Sequence, residues 1–158
     1  MKIGVELRLG GETGELFADA RALESAGAES VWVLGRDGQD PWILAAALAA
    51  TTWRPRIVVV DAAERPGARA TLTALSRGRL VLGERNAEAI VLTDAEGAPE
   101  RWSLCELPLA RAEWKALRAD REERGFVGIV LPNDPRLLDL LRNPDQEDDR
   151  QDLKLAFG

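Results

Sequence analysis

The feature that most narrows the folds open to this chain is a set of short runs that are apolar on both faces, each separated from the next by helix signals. SVWVL at 30–34, RIVVV at 56–60 and RLVL at 79–82 carry no polar alternation in their interiors. A strand covered on one side alternates, whereas one apolar throughout must be covered on both sides, as in a parallel sheet flanked by helices. The intervening segments have helical punctuation. Thr13 can cap a helix whose stripe is Leu16, Ala20 and Leu23, with Gly27 in the left-handed position that closes it. Asp40-Pro41 pairs a capping carboxylate with proline in the first turn, and WILAAALAATT continues as a helix apolar almost all round, which predicts burial. Pro66 opens a third helix ending near Ser76 and Gly78.

Ahead of these units, residues 2–9 alternate, with Ile3, Val5, Leu7 and Leu9 on one face and Lys2, Gly4, Glu6 and Arg8 on the other. Four strands separated by three helices predict four N-terminal parallel βα units with right-handed crossovers. The rhythm then breaks. After Gly83 no helix follows, and residues 88–94 and 101–107 read as two strands joined by DAEGAPE, a β-hairpin standing where a helix belongs. Alternation returns with an amphipathic helix at 109–124, the strand FVGIVL and a helix opened by Asp134-Pro135, a final αβα segment. Residues 1–143 read as one α/β domain and residues 144–158 as an acidic surface tail. Seven such strands, six parallel and one antiparallel, can close into a condensed barrel or remain an open twisted sheet. Open edges and a partly covered inner face would favour a homodimer.

Composition limits the chemistry. The 158 residues include no histidine and no tyrosine, and Cys105 is the single cysteine. The side chain best suited to proton transfer near neutral pH, the commonest zinc ligand and any intrachain disulfide are thereby excluded, and no metal is expected. A net charge of −6 argues against a nucleic-acid partner. MKIGVELRLG lacks a signal peptide's apolar run and no segment has the length of a membrane span, so the expectation is a cytoplasmic location and no membrane partner.

Three blocks, MKIGVELRLGG with ALESAGAESVWV, DPWILAAALAATTWRPRIVV, and ERPGARATLTALSRGRLVLG, together resemble the bacterial luciferase-like family of flavin- or deazaflavin-dependent monooxygenases and oxidoreductases; GFVGIVLPNDPRLLDLLRNPDQEDDRQDLKLAFG resembles the C-terminal end of such proteins. The resemblance implies a TIM-barrel-like (β/α) fold, commonly dimeric, with FMN or deazaflavin at the carboxyl ends of the strands. A full barrel takes about 250 residues, so this chain implies a truncated or condensed version, short by units of about 30 residues each. The loss falls after Gly83. The resemblance also leaves open a non-catalytic dimeric binding or assembly protein derived from that family.

Four residues are candidates for holding a cofactor. Glu6 and Arg8 lie near the carboxyl end of the first strand, opposite its apolar row, where they either meet a ligand in a barrel lumen or pair with each other. Gly83 and Arg85 lie where ligands approach a parallel sheet, offering an amide and a guanidinium to a phosphate, or else form an ordinary tight connection into the hairpin. GRDG at 35–38 and the pair Gly10-Gly11 read as turns, and no residue is assigned a catalytic role. Asp61 reads as a turn residue, the tail carboxylates Asp145, Glu147, Asp148, Asp149 and Asp152 as solvated surface, and Cys105 as a small buried hydrophobe inside a strand. Trp32, Trp42 and Trp114 are expected in the core; of the five tryptophans, Trp53 and Trp102 are the better candidates for an interface or a flavin-stacking surface, although packing is the first reading for them as well.

Overall fold

The computed structural model describes residues 1–10, 12–35, 38–93 and 97–143. The tail carboxylates, Gly11, and parts of the GRDG and DAEGAPE segments therefore lie outside the described residues. The elements in order are β1 (Lys2–Glu6), α1 (Thr13–Ser25), β2 (Ser30–Leu34), α2 (Pro41–Thr51), β3 (Arg56–Val60), α3 (Pro66–Leu75), β4 (Leu80–Arg85), β5 (Ile90–Leu92), β6 (Glu100–Leu104), α4 (Arg111–Glu123), β7 (Gly128–Pro132) and α5 (Pro135–Arg142). The strands form a closed barrel in chain order, β1 pairing in parallel with both β2 and β7. Only β5 runs against its neighbours, joined to β4 and β6 by antiparallel ladders. The open-sheet alternative is excluded.

Several local expectations are corrected. The first strand ends at Glu6 instead of continuing to Leu9, whose side chain is exposed. Helix α1 begins at Thr13 with Glu12 as its cap residue, and Glu12 makes no side-chain capping bond. Asp40 does cap α2, accepting from the Trp42 and Ile43 amides, but that helix exposes Ile43 on its outer side. Strand β4 runs three residues past Leu82, because β5 folds back on Gly83, Glu84 and Arg85 and supplies a ladder there.

Closure creates two cores. The outer one lies between barrel and helices and collects Val5, Leu7, Val31, Val33, Ile57, Val59, Ile129 and Leu131 with the inner faces of the helices. The inner one is the lumen, filled by residues of the opposite parity: Trp32, Leu34, Val58, Val60, Val81, Ile90, Leu92, Trp102 and Val130. A barrel of so few strands has an interior only wide enough for side chains. Two of these are tryptophans that pack on each other, ring centroids 5.0 Å apart and tilted by 55°. Glycines on the neighbouring strands make the space: a Cβ on Gly4 would stand 2.2 Å from Trp32 Nε1, and one on Gly128 would stand 2.4 Å from Trp102 Cζ3. Trp102, for which packing is the first reading and an interface or flavin-stacking surface the alternative, is fully buried in the lumen. Trp53 is the exposed one, with the Arg77 guanidinium 3.8 Å above its ring.

An ion cluster seals the amino end of the lumen. Lys2 Nζ donates to Glu100 Oε1 (2.7 Å), Arg56 Nη2 to Glu100 Oε2 (2.6 Å) and Trp102 Nε1 to the same oxygen (3.0 Å). Burial alone would raise the Glu100 pKa, but the hydrogen bonds from Arg56, Lys2 and Trp102 outweigh it and hold the carboxyl at about 2, below its ordinary 4.5. A depressed folded-state value means that this stabilisation is fully present above the unfolded-state pKa and is lost as pH falls from 4.5 toward 2. Urea unfolding is expected to lose about 1–3 kcal/mol over that window through this group, and Glu100→Gln should flatten the slope. An unchanged slope in the variant would refute the role assigned to the cluster.

Candidate functional site

Because β1, β2, β3, β4, β6 and β7 are mutually parallel in the ladder, their carboxyl ends meet at one mouth. A cleft of about 330 Å³ opens there, lined by Glu6, Arg8, Leu34, Arg85, Leu104, Cys105, Glu106, Val130 and Pro132. Three of the four residues nominated from the sequence, Glu6, Arg8 and Arg85, come together in it. Its floor is the top of the lumen: Leu34 and Val130 line the cleft and pack in the same cluster as the two tryptophans.

Both guanidiniums lining the mouth are paired in advance. Glu6 ends β1 pointing inward, and its side chain is only 5% exposed. Arg8 Nε donates to Glu6 Oε1 (2.8 Å) and Arg8 Nη2 to Glu6 Oε2 (2.7 Å), a two-pronged contact. That hydrogen bonding, only partly opposed by burial and helped by the fields of Glu6 and Glu106, holds the Arg8 pKa above its ordinary value. Across the mouth, the Arg85 amide donates to Asp61 Oδ1 (3.1 Å) and Arg85 Nε lies 3.1 Å from Asp61 Oδ2. Asp61 reaches this position from a left-handed backbone, φ 54°, a conformation that costs a non-glycine residue about 1 kcal/mol. Gly35 admits the bend, since a Cβ there would sit 2.7 Å from the Asp61 carbonyl oxygen.

Gly83 is not part of the cleft. It sits buried within β4, laddered to Val60 on one side and Leu92 on the other. A Cβ there would lie 2.8 Å from Leu92 Cδ2 and 3.0 Å from Ile90 Cγ2, so its role in the fold is to let the hairpin side chains enter the lumen. The tight connection follows it: Asn86 Oδ1 accepts from the Glu88 and Ala89 amides, an Asx turn into β5.

Sequence reasoning missed Cys105 and Glu106 as mouth residues. Cys105 lies one residue beyond β6 and is half-buried in the cleft wall, outside the strand to which it was assigned. The signal that could have placed it is the end of the apolar run at Leu104. Its thiol contacts the Ser103 hydroxyl at 3.5 Å.

A flavin fits this arrangement poorly. The lumen beneath the cleft is occupied by Trp32 and Trp102, both fully buried, so an isoalloxazine ring would have to lie across the mouth. Among the described residues its lining carries the carboxylates Glu6 and Glu106 and the guanidiniums Arg8 and Arg85, and each guanidinium already has a carboxylate partner, Glu6 for Arg8 and Asp61 for Arg85. A phosphate would have to compete with those partners. Among the described residues no cluster of three or more cysteines and carboxylates could hold a metal ion, and no helix is long and apolar enough to cross a membrane. No protein-family model matches the chain, and no curated protein matches it.

Proposed function

We propose that the chain is a condensed (β/α) barrel of the TIM-barrel kind, a shortened relative of the luciferase-like proteins, that binds a small ligand at its carboxyl-end mouth in the cytoplasm and performs no redox turnover. One observation carries the reading. The lumen is lined by buried apolar side chains, two of them tryptophans, below a cleft of about 330 Å³ that gathers Glu6, Arg8 and Arg85. Clefts of this size with an apolar floor and a few convergent polar groups are the usual form of small-molecule sites. A second reading, flavin- or deazaflavin-dependent oxidoreductase or monooxygenase chemistry, draws support from the family resemblance and from the two guanidiniums at the strand ends. When bound, such a cofactor would itself supply the hydride or oxygen chemistry.

Visible absorption of the purified protein, then titration with FMN and with a deazaflavin, separates the two. The expected result is a colourless protein with no saturable change at micromolar cofactor. A yellow chromophore, or saturable binding abolished by Arg85→Ala, would overturn the non-redox reading. The homodimer also stands as a proposal, although closure between β1 and β7 removes the free edges that first argued for it. Exposed Ile43, Trp53 and Leu109 are what now supports it. Sedimentation of the same sample as a single 17.3 kDa species would end it.

A further inference from the structure

The mouth cleft offers its two signs of charge in very different states. Arg8 is gripped through two nitrogens by Glu6, and Arg85 is tied through side chain and backbone to Asp61. Glu106 also lines the cleft, exposed, and has no ion-pair partner within 4 Å among the described residues. An incoming anion thus meets guanidiniums already held in direct ion pairs, while an incoming cation meets a carboxylate that is in no direct ion pair and acts on Arg8 only through its longer-range field. Below them Leu34, Val130 and Pro132 present apolar surface, which rewards a hydrocarbon body with about 25 cal/mol per Å² removed from water.

From this arrangement we infer that the mouth takes a small amine or zwitterion with an apolar body, of the α-amino-acid class: its ammonium on Glu106, its hydrocarbon on Leu34, Val130 and Pro132, and any carboxylate on the outer edge of Arg85. The inference rests on the mouth being a ligand site and adds the chemistry of the ligand. The asymmetry sets the order of affinity within the class. The ammonium gains a new charge-assisted hydrogen bond, whereas a carboxylate only shares a guanidinium with Asp61. Removing the ammonium should therefore cost more than removing the carboxylate.

Three probes of one hydrocarbon skeleton test it: L-leucine, isopentylamine and 4-methylpentanoate, titrated to millimolar concentration into protein carrying carbon-13 methyl labels. The methyl resonances of Leu34, Leu104 and Val130 report the mouth and those of Leu16, Leu23 and Ile57 serve as controls. Leucine and isopentylamine are expected to shift the mouth methyls saturably and 4-methylpentanoate to shift them far less. Glu106→Gln should weaken the two amines about tenfold, the loss that accompanies one charge-assisted hydrogen bond. Glu106 is exposed and makes no fold contact of this kind, so the variant should keep its control resonances. If 4-methylpentanoate or FMN shifts the mouth methyls as strongly as the amines, or Glu106→Gln leaves amine binding unchanged, the ligand class is overturned while the mouth remains a site. If none of the four compounds shifts those methyls, both the class and the site fall.

Discussion

Trp102→Ala is expected to lower stability by about 3–5 kcal/mol, the range for truncating a large aromatic in a core that cannot collapse onto the gap. The surroundings place it toward the upper end. Trp102 is fully buried, packs on Trp32 at a centroid distance of 5.0 Å and sits against the bare Cα of Gly128. A hydrogen-bonded barrel cannot shrink around the void, because each strand is fixed by ladders to two neighbours. The change also strips Glu100 of the indole donor at 3.0 Å and uncovers Arg56, which stands 5.8 Å from the ring. Urea unfolding followed by far-ultraviolet circular dichroism measures the loss. A drop below about 1 kcal/mol with an unchanged denaturant slope would mean that the lumen is not close-packed, and the argument against an inserted isoalloxazine would go with it.

What could be read in the sequence and what could not divides by the range of the interaction that decides it. The parallel βα units were legible because each rests on local signals: apolar runs at 31–34 and 57–60, the Asp40-Pro41 and Asp134-Pro135 starts, and glycines such as Gly27 and Gly125 at positive φ. The hairpin was legible for the same reason. Closure was not, since it depends on β1 and β7 meeting across more than a hundred residues, and the local patterns of either strand suit an open sheet equally well. Its sequence trace is the pairing of large and absent side chains, Trp32 with Gly4 and Trp102 with Gly128, which becomes visible only once the register is known. Gly83 shows how a local rule fails. A glycine after an apolar run reads as a stop, yet the antiparallel partner continued the strand through it. The site was half legible: strand ends are a general location for ligands, and that rule found Glu6, Arg8 and Arg85. Asp61 and Glu106 reach the mouth by loop geometry, which no spacing encodes. The Lys2–Glu100–Arg56 cluster, drawn from three distant strands, was likewise out of reach.

Gly128→Ala should prove nearly as disruptive as a truncation although it adds one methyl group, with an expected cost at or above the usual 1–3 kcal/mol for overpacking a core. The added carbon would stand 2.4, 2.6 and 2.7 Å from three atoms of the Trp102 ring, far inside van der Waals contact. Neither side can yield cheaply. Gly128 is laddered to Lys2 and to Trp102 itself, and the indole is held by Trp32 on its flank and by Glu100 at its nitrogen. The backbone of Gly128 is not the obstacle, since it lies in an extended strand open to any residue. The penalty is therefore wholly the indole's, and it should vanish with the indole. In a Trp102→Leu background Gly128→Ala is expected to be close to neutral or stabilising, because the new methyl then fills space the smaller side chain leaves. The pair should thus be non-additive by an amount comparable to the single-variant cost, at the upper end of about 0.5–3 kcal/mol seen for contacting residues. A double-variant cycle by urea unfolding measures that term directly. Additivity within about 0.5 kcal/mol would mean that residue 128 and the indole do not touch, and that the lumen has room the geometry denies it.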